Sequence, residues 1–520
     1  MKNIAVRIYL VTVSFLLLLI FHSGIKAQNS LSEDFSQWIE AGMEQWNIPG
    51  MAVVIVKDDS ILLMEGFGIR KLGEATRIDE HTLFGIASVS KHMTATALGK
   101  LVDDGFLNWD DRVVDIIPWF ELSDPWVTAH VTVRDLLTHR VGLGRMLGNR
   151  LQFMTNSGRD DVIRAMKHHE FEKPFRSSWV YSNIMYTVAG QIIEYTIGKT
   201  WDEYLRDEFF QPLGMMNTNT SITAIRHNTN AAWPHQEIDG EVVAIPRRNW
   251  DNAGPAGGVN STMHDLANWL MFQLDTPGMF QGKEIVRRTT MHEIHKPQVA
   301  VGMSGPYGPQ ISYGFGLYVR DYEGTRVLSH GGATDGFNTA AYMLPEHKLG
   351  IIVISNVFSR FNEAVCMTVI DALLGIEGND WNDTYYTAYQ NLYERASEQR
   401  AEIHANRKPD AHPHHALELY AGSYLHPLYR EASVTMNENG LVLTLWGDDN
   451  LSADLEHWHY DTFRAIWRNP AMREEFVTFT TGKNGNISEM HIEFALRPML
   501  LQVGAYPTPY SRVVKYNKAK

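Results

Sequence analysis

The chain of 520 residues is 44% hydrophobic, 20% charged and 11% aromatic, a composition that supports a large core, excludes disorder and fits two or three domains at roughly 100–200 residues each. Its one cysteine, Cys366, excludes an intrachain disulfide framework and zinc sites built on cysteine clusters. With 46 basic against 60 acidic residues the formal charge is −14, and without a basic patch nucleic acid is excluded as a partner.

Residues 1–27 read as a signal peptide. Lys2 and Arg7 precede an apolar run from Ile8 to Phe21, and Ser23, Gly24 and Ala27 supply the small residues of a cleavage site after Ala27. The run is shorter than the roughly 20 residues a membrane span needs, and no later segment is apolar enough to span. The reading is therefore a secreted or periplasmic protein with no stable membrane span. Ser30-Leu31-Ser32-Glu33 has the form of a capping box before a helix carrying Phe35, Trp38, Ile39 and Met43. Met51–Val56 and Ile61–Gly66 form a hairpin pattern around Lys57-Asp58-Asp59-Ser60. Helical stretches dominate from about 90 to 275. Strand-like runs return at Tyr313–Val319, Arg326–Ser329, Ala340–Met343 and Gly350–Ile354, before a helix at Ala364–Leu374. The order predicts an α/β (α+β) fold, one antiparallel sheet made from both ends of a domain with a helical lobe between. A charged helix over Asp383–Ala405 and a linker over Asn406–His415 follow. Short runs at Ser433–Met436, Leu441–Trp446, Phe463–Trp467, Phe476–Phe479 and Met490–Phe494 then predict a small all-β domain. The expected divisions are 1–27, 31–375, 376–415 and 416–515.

The chemistry starts at Ser88. Ser88 and Lys91 open an apolar helix three residues apart, on one face. A serine hydroxyl needs a neighbour to take its proton, and a lysine does so once burial or another cation lowers its pKa. The helix start also favours an oxyanion. Tyr181-Ser182-Asn183 adds a phenol able to act in acid–base chemistry and a carboxamide able to bind an amide. His330-Gly331-Gly332-Ala333 follows a strand-like run, where glycines admit a close substrate backbone; a plain turn between strands gives the same pattern. His412-Pro413-His414-His415 has no evident carboxylate partner for metal binding, His168-His169 reads as a solvated face, and Cys366 reads as packed in a helix.

In this order the motifs resemble the serine β-lactamase and penicillin-binding protein superfamily, in its class C-related branch. Leu136-Leu137-Thr138-His139, Pro212-Leu213-Gly214-Met215 and Ala256-Gly257-Gly258 match the same pattern. The resemblance implies Ser88 as acylated nucleophile, Lys91 and Tyr181 as the proton-transfer pair, and Asn183, His330, Gly331, Gly332 and Ala333 as substrate-binding residues. It implies an oxyanion hole from the backbone N–H groups of Ser88 and Ala333, and neither metal nor cofactor. Its substrates are small molecules or peptides: D-amino-acid peptides, carboxylic esters or, as an alternative, β-lactams; a catalytically weak penicillin- or peptide-binding protein is the other alternative. Two departures stand out. His330-Gly331-Gly332 replaces a common Lys-Thr-Gly or Lys-Ser-Gly, removing a cation that binds carboxylate, and Phe175-Arg176 occupy the region of a frequent Pro-Gly pair. The phrase Leu455–Phe463 is similar to small lipocalin-like barrels appended to such hydrolases, which cap the active-site cleft or mediate oligomers.

Overall fold

A computed structural model describes residues 28–144, 157–238, 240–274, 277–303, 309–334, 336–470, 472, 474–494 and 512–518. The signal-peptide reading lies outside these residues. Among the described residues no helix is long and apolar enough to cross a membrane. The described residues form two compact units, one within residues 28–389 and the other within residues 390–518.

In the first unit, helix α1 (Gln28–Gln45) leads into strands β1 (Gly50–Lys57) and β2 (Ser60–Gly68). The helix starts ahead of the Ser30 capping pattern. The sheet is completed by β3 (Val299–Met303), β4 (Gln310–Tyr313), β5 (Tyr318–Tyr322), β6 (Thr325–Thr334), β7 (Phe337–Leu344) and β8 (Leu349–Ser355). Its order is β2-β1-β8-β7-β6-β5-β4-β3, with antiparallel pairing throughout. Both ends of the unit thus meet in one sheet, as the element order implies. β1, β7 and β8 are buried almost end to end, which explains the continuous apolar runs of β1 and β8.

Successive residues of β8 face opposite sides. Ile351 and Val353 join Phe361 and Val365 of helix α5 (Phe361–Leu374) in one core. Gly350 lies against Leu270 and Leu274 of helix α4 (Met263–Leu274) on the other. Cys366 is buried in the α5 core, and burial pushes its thiol well up. Between β2 and β3 come the helical segments, with helix α2 (Ser90–Asp103) and helix α3 (Asn183–Ile197) packed together.

Two further sequence expectations for this unit differ from the structure. The run Tyr313–Val319 is a hairpin, because Gly316 at φ +77° turns the chain between β4 and β5. His169 is buried while His168 alone is exposed.

The second unit is a closed barrel of eight strands: β9 (Gly422–His426), β10 (Arg430–Asn437), β11 (Gly440–Leu445), β12 (Ser452–His459), β13 (Thr462–Trp467), β14 (Glu475–Thr481), β15 (Ile487–Phe494) and β16 (Arg512–Lys518). β16 closes the barrel on β9 through Tyr424 and Leu425. Tyr420, Tyr424, Phe463 and Phe479 fill its interior edge to face. Closure leaves no sheet edge. His414 does have a carboxylate partner: its backbone N–H and its Nδ1 both meet Asp461, at 3.0 and 2.9 Å.

Candidate active site

A 3₁₀ turn, Ala87–Val89, precedes α2 and carries Ser88 at its centre. Ala87 holds φ +50°, a left-handed conformation costly for a residue with a Cβ. The turn is fixed from below: Ser90 Oγ donates to the Ala87 carbonyl at 2.7 Å and accepts from Val259 N at 3.1 Å. Strand β6 closes its other side. A Cβ on Gly332 would be driven into the Ile86 carbonyl oxygen and would lie 3.1 Å from Ala87 Cβ and 3.2 Å from Ser88 N. Glycine at 332 therefore lets the strand lie against the serine turn. A Cβ on Gly331 would meet nothing nearer than the Thr339 carbonyl at 3.8 Å.

Ser88 is half-buried, at the mouth of the site. Its Oγ accepts from Lys91 Nζ at 3.1 Å and from the Tyr181 hydroxyl at 2.9 Å. Lys91 is wholly buried, at 0% exposure. Its ammonium also donates to Asn183 Oδ1 at 2.7 Å and to the Ala256 carbonyl at 2.6 Å, so all three of its protons meet oxygen. Nζ further lies 4.8 Å from the centre of the Tyr181 ring. A buried charge needs such a shell to remain stable. Lys91 of α2 and Tyr181 therefore meet on the Ser88 hydroxyl, while Asn183 at the start of α3 and the Ala256 turn hold the Lys91 ammonium.

Tyr181 is positioned by His139, whose ring centre lies 4.4 Å from its own. His139 in turn accepts from Ser182 N through Nδ1 at 3.1 Å. The loop before Tyr181 is tied by charge. Asp135 is fully buried and binds Arg176 and Arg140 at 2.6 and 2.8 Å, with Thr132 Oγ1 donating at 2.8 Å. Burial pushes the Asp135 carboxyl up, but the hydrogen bonds from Arg176 and Thr132 and the charge of Arg140 outweigh it and hold it below the usual range. Arg176 at φ +61° thus has a definite role where the family often has Pro-Gly.

His330 sits on β6 at 2% exposure, turned into the protein. Its Nδ1 donates to the Gly331 carbonyl at 2.6 Å, which leaves Nε2 to accept from the Tyr313 hydroxyl at 3.0 Å. Burial and the Lys91 charge press its pKa down to about 3. The ring is therefore neutral and engaged with the protein through both nitrogens. Direct carboxylate binding by His330, the role its position would have carried with lysine there, has no support in this arrangement. Ala333 follows on the same strand and is half-buried. Sequence reading missed the Ala256 carbonyl and Tyr313: neither is marked by its own residue type, although the Ala256-Gly257-Gly258 phrase stood out.

The pattern of the family described as Beta-lactamase matches residues 35–373, and that of a domain of unknown function (DUF3471) matches residues 406–503. Unguisins hydrolase ungD' of Aspergillus campestris is 26% identical over 439 residues, with 79% of each chain covered. Protein flp of Staphylococcus aureus is 25% identical over 335 residues, with 64% of each covered. Among solved structures, the octameric penicillin-binding protein homologue from Pyrococcus abyssi superimposes with a TM-score of 0.60 at 20% identity, covering 89% of this chain and 98% of that one. The D-stereospecific amidohydrolase from Streptomyces sp. gives 0.52 at 21% identity, covering 65% and 96%. The chain belongs to the beta-lactamase family, with the α/β sheet-and-helix fold of serine β-lactamases and penicillin-binding proteins and an eight-stranded barrel after it.

Proposed function

We propose that the chain is an exported serine hydrolase that forms an acyl-enzyme on Ser88 and hydrolyses small amide or ester substrates, D-amino-acid peptides or carboxylic esters. The observation that carries this reading is the meeting of Lys91 Nζ and the Tyr181 hydroxyl on Ser88 Oγ, at 3.1 and 2.9 Å. With one of its two members deprotonated, the Lys91–Tyr181 pair takes the hydroxyl proton as Ser88 Oγ bonds to the substrate carbonyl carbon. The N–H groups of Ser88 and Ala333 stabilise the oxyanion. Tyr181 returns a proton to the departing amine or alcohol as its bond to the carbonyl carbon breaks. Water then attacks the acyl-enzyme, releasing the acid and restoring Ser88. Export rests on the N-terminal pattern of Lys2 to Ala27.

The neutral, inward-facing His330 argues against β-lactams as the main substrates, since no cation stands at that position. Purified protein should hydrolyse p-nitrophenyl acetate well above nitrocefin. Nitrocefin turnover as fast as the ester's would overturn the substrate reading. Lys91→Ala should slow acylation by at least about 10²-fold, the low end for lost acid–base assistance; unchanged acylation would remove Lys91 from the mechanism.

A further inference from the structure

We propose that Arg247 makes the cavity beside the serine turn a subsite for an anionic acyl group, so that the enzyme prefers substrates whose acyl chain ends in a carboxylate. This rests on the acyl-enzyme reading above and specifies its substrate class.

The cavity is small, about 50 Å³, opens to solvent and is bounded by Gly85, Arg247, Trp250, Gly257, Thr334 and Phe337, among others. Several of these walls belong to the catalytic framework. Gly85 is three residues before Ser88, and a Cβ on Gly257 would lie 3.6 Å from the Ala87 carbonyl carbon. Thr334 and Phe337 pair at the tip of the β6–β7 hairpin, just beyond Ala333. The direction of the substrate follows. Tyr181, which protonates the leaving group, packs by His330, their ring centres 6.3 Å apart. The leaving group therefore lies towards the His330 end of the motif, and the acyl chain runs the other way, past Ala333 towards Thr334 and the cavity.

Arg247 is built into that wall. Its guanidinium lies 5.1 Å from the Trp233 ring centre and 5.9 Å from that of Phe337, and donates to the Ala232 carbonyl. Among the described residues no carboxylate lies within ion-pair distance of it. A second cation is near: the Arg226 guanidinium donates to the Arg247 carbonyl at 3.0 Å. Among the described lining residues the one acid is Asp251, which accepts from Ile222 N at 2.8 Å. Burial and the Arg226 charge lower the Arg247 pKa to about 10, and the half-buried guanidinium remains charged at neutral pH. An arginine offers five N–H donors in a fork matched to a carboxylate, and the carbonyl of Ala232 takes only part of that capacity. A substrate carboxylate would supply the missing charge.

Two measurements test this separately from catalysis. In the first, hydrolysis of p-nitrophenyl hemisuccinate is compared with that of its neutral methyl succinyl ester by wild type, Arg247→Gln and Arg247→Lys. The expected result is a wild-type preference of about ten- to a hundredfold in kcat/KM for the anionic ester. Arg247→Gln should lose it mainly through KM while keeping the neutral ester's rate, and Arg247→Lys should restore part of it. In the second, monomethyl glutarate and dimethyl glutarate are titrated calorimetrically into Ser88→Ala protein, with and without Arg247→Gln. Binding of the monoanion alone, abolished by Arg247→Gln, supports the subsite even if no ester is turned over. No preference in wild type together with equal or absent binding of the two glutarates overturns it. Ester turnover that survives Ser88→Ala would instead overturn the acyl-enzyme reading and leave the binding result to stand by itself.

Discussion

Gly331 and Gly332 are adjacent residues of one type with different structural demands. A methyl group on Gly332 collides with the Ile86 carbonyl and crowds Ser88 N, whereas one on Gly331 finds ordinary contact distances. Gly332→Ala should therefore lower esterase kcat/KM by about tenfold or more, the scale on which a displaced reacting group is felt. Gly331→Ala should stay within about threefold of wild type, since surface changes without a clash cost little. Parallel kinetics on the two variants check the pair, and equal losses would contradict the packing argument. At this scale much of the site was legible: Ser88, Lys91, Tyr181 and Asn183 stand at recognisable spacings, and the structure brings Lys91 and Tyr181 onto the Ser88 hydroxyl and Asn183 onto the Lys91 ammonium. Lys91's bond to the Ala256 carbonyl was not, because a backbone acceptor 165 positions away leaves no mark in residue type. Nor was Arg247, whose meaning lies in having no carboxylate partner among the described residues.

The loop before α3 depends on one buried charge cluster. Asp135 binds Arg140 and Arg176 from inside the protein, and Thr132 completes its shell as a capping box. Removing the carboxylate leaves two guanidinium groups without their partner. Asp135→Ala should cost about 3–5 kcal/mol, the range for breaking a buried ion pair from one side, read as a fall in the urea midpoint of unfolding. Loss below about 1 kcal/mol would show the cluster to be solvated. Elements with strong periodicity were legible, including β1, β8, α3 and α5. The Tyr313–Val319 run was read as one strand because its apolar residues continue through a turn. Gly316 resolves it: at φ +77°, with a would-be Cβ 2.8 Å from His92 N and Cα, it both turns the chain and admits α2. Barrel strand β12 was read as a matching phrase rather than a strand, and β9 and β16 were missed; β12 mixes polar and apolar residues, as a half-solvated strand does.

On the scale of the whole catalytic unit, buried histidines set the response to acid. Burial presses His92 and His330 down to about 3 and His235 to about 4, from an ordinary value of 6.5. Below pH 6.5 the unfolded chain binds protons that the folded chain refuses. Their contribution is complete above that pH and is lost as pH falls towards the folded values, by up to about 2 kcal/mol per histidine at pH 5. Asp251 and Glu363, held above their ordinary values chiefly by burial, act in the opposite direction. The urea midpoint should therefore be lower at pH 5.0 than at 7.5. An unchanged or higher midpoint at pH 5.0 would show these histidines to be protonated in the folded state.

The reaction itself rests on one atom, Ser88 Oγ. Its most direct test is intact-protein mass spectrometry after exposure to a fluorophosphonate, with peptide mapping, on wild type and Ser88→Ala. The account predicts one adduct on wild type, mapped to Ser88, and none on the variant. Equal labelling of both proteins, or an adduct mapped to another residue, would contradict it.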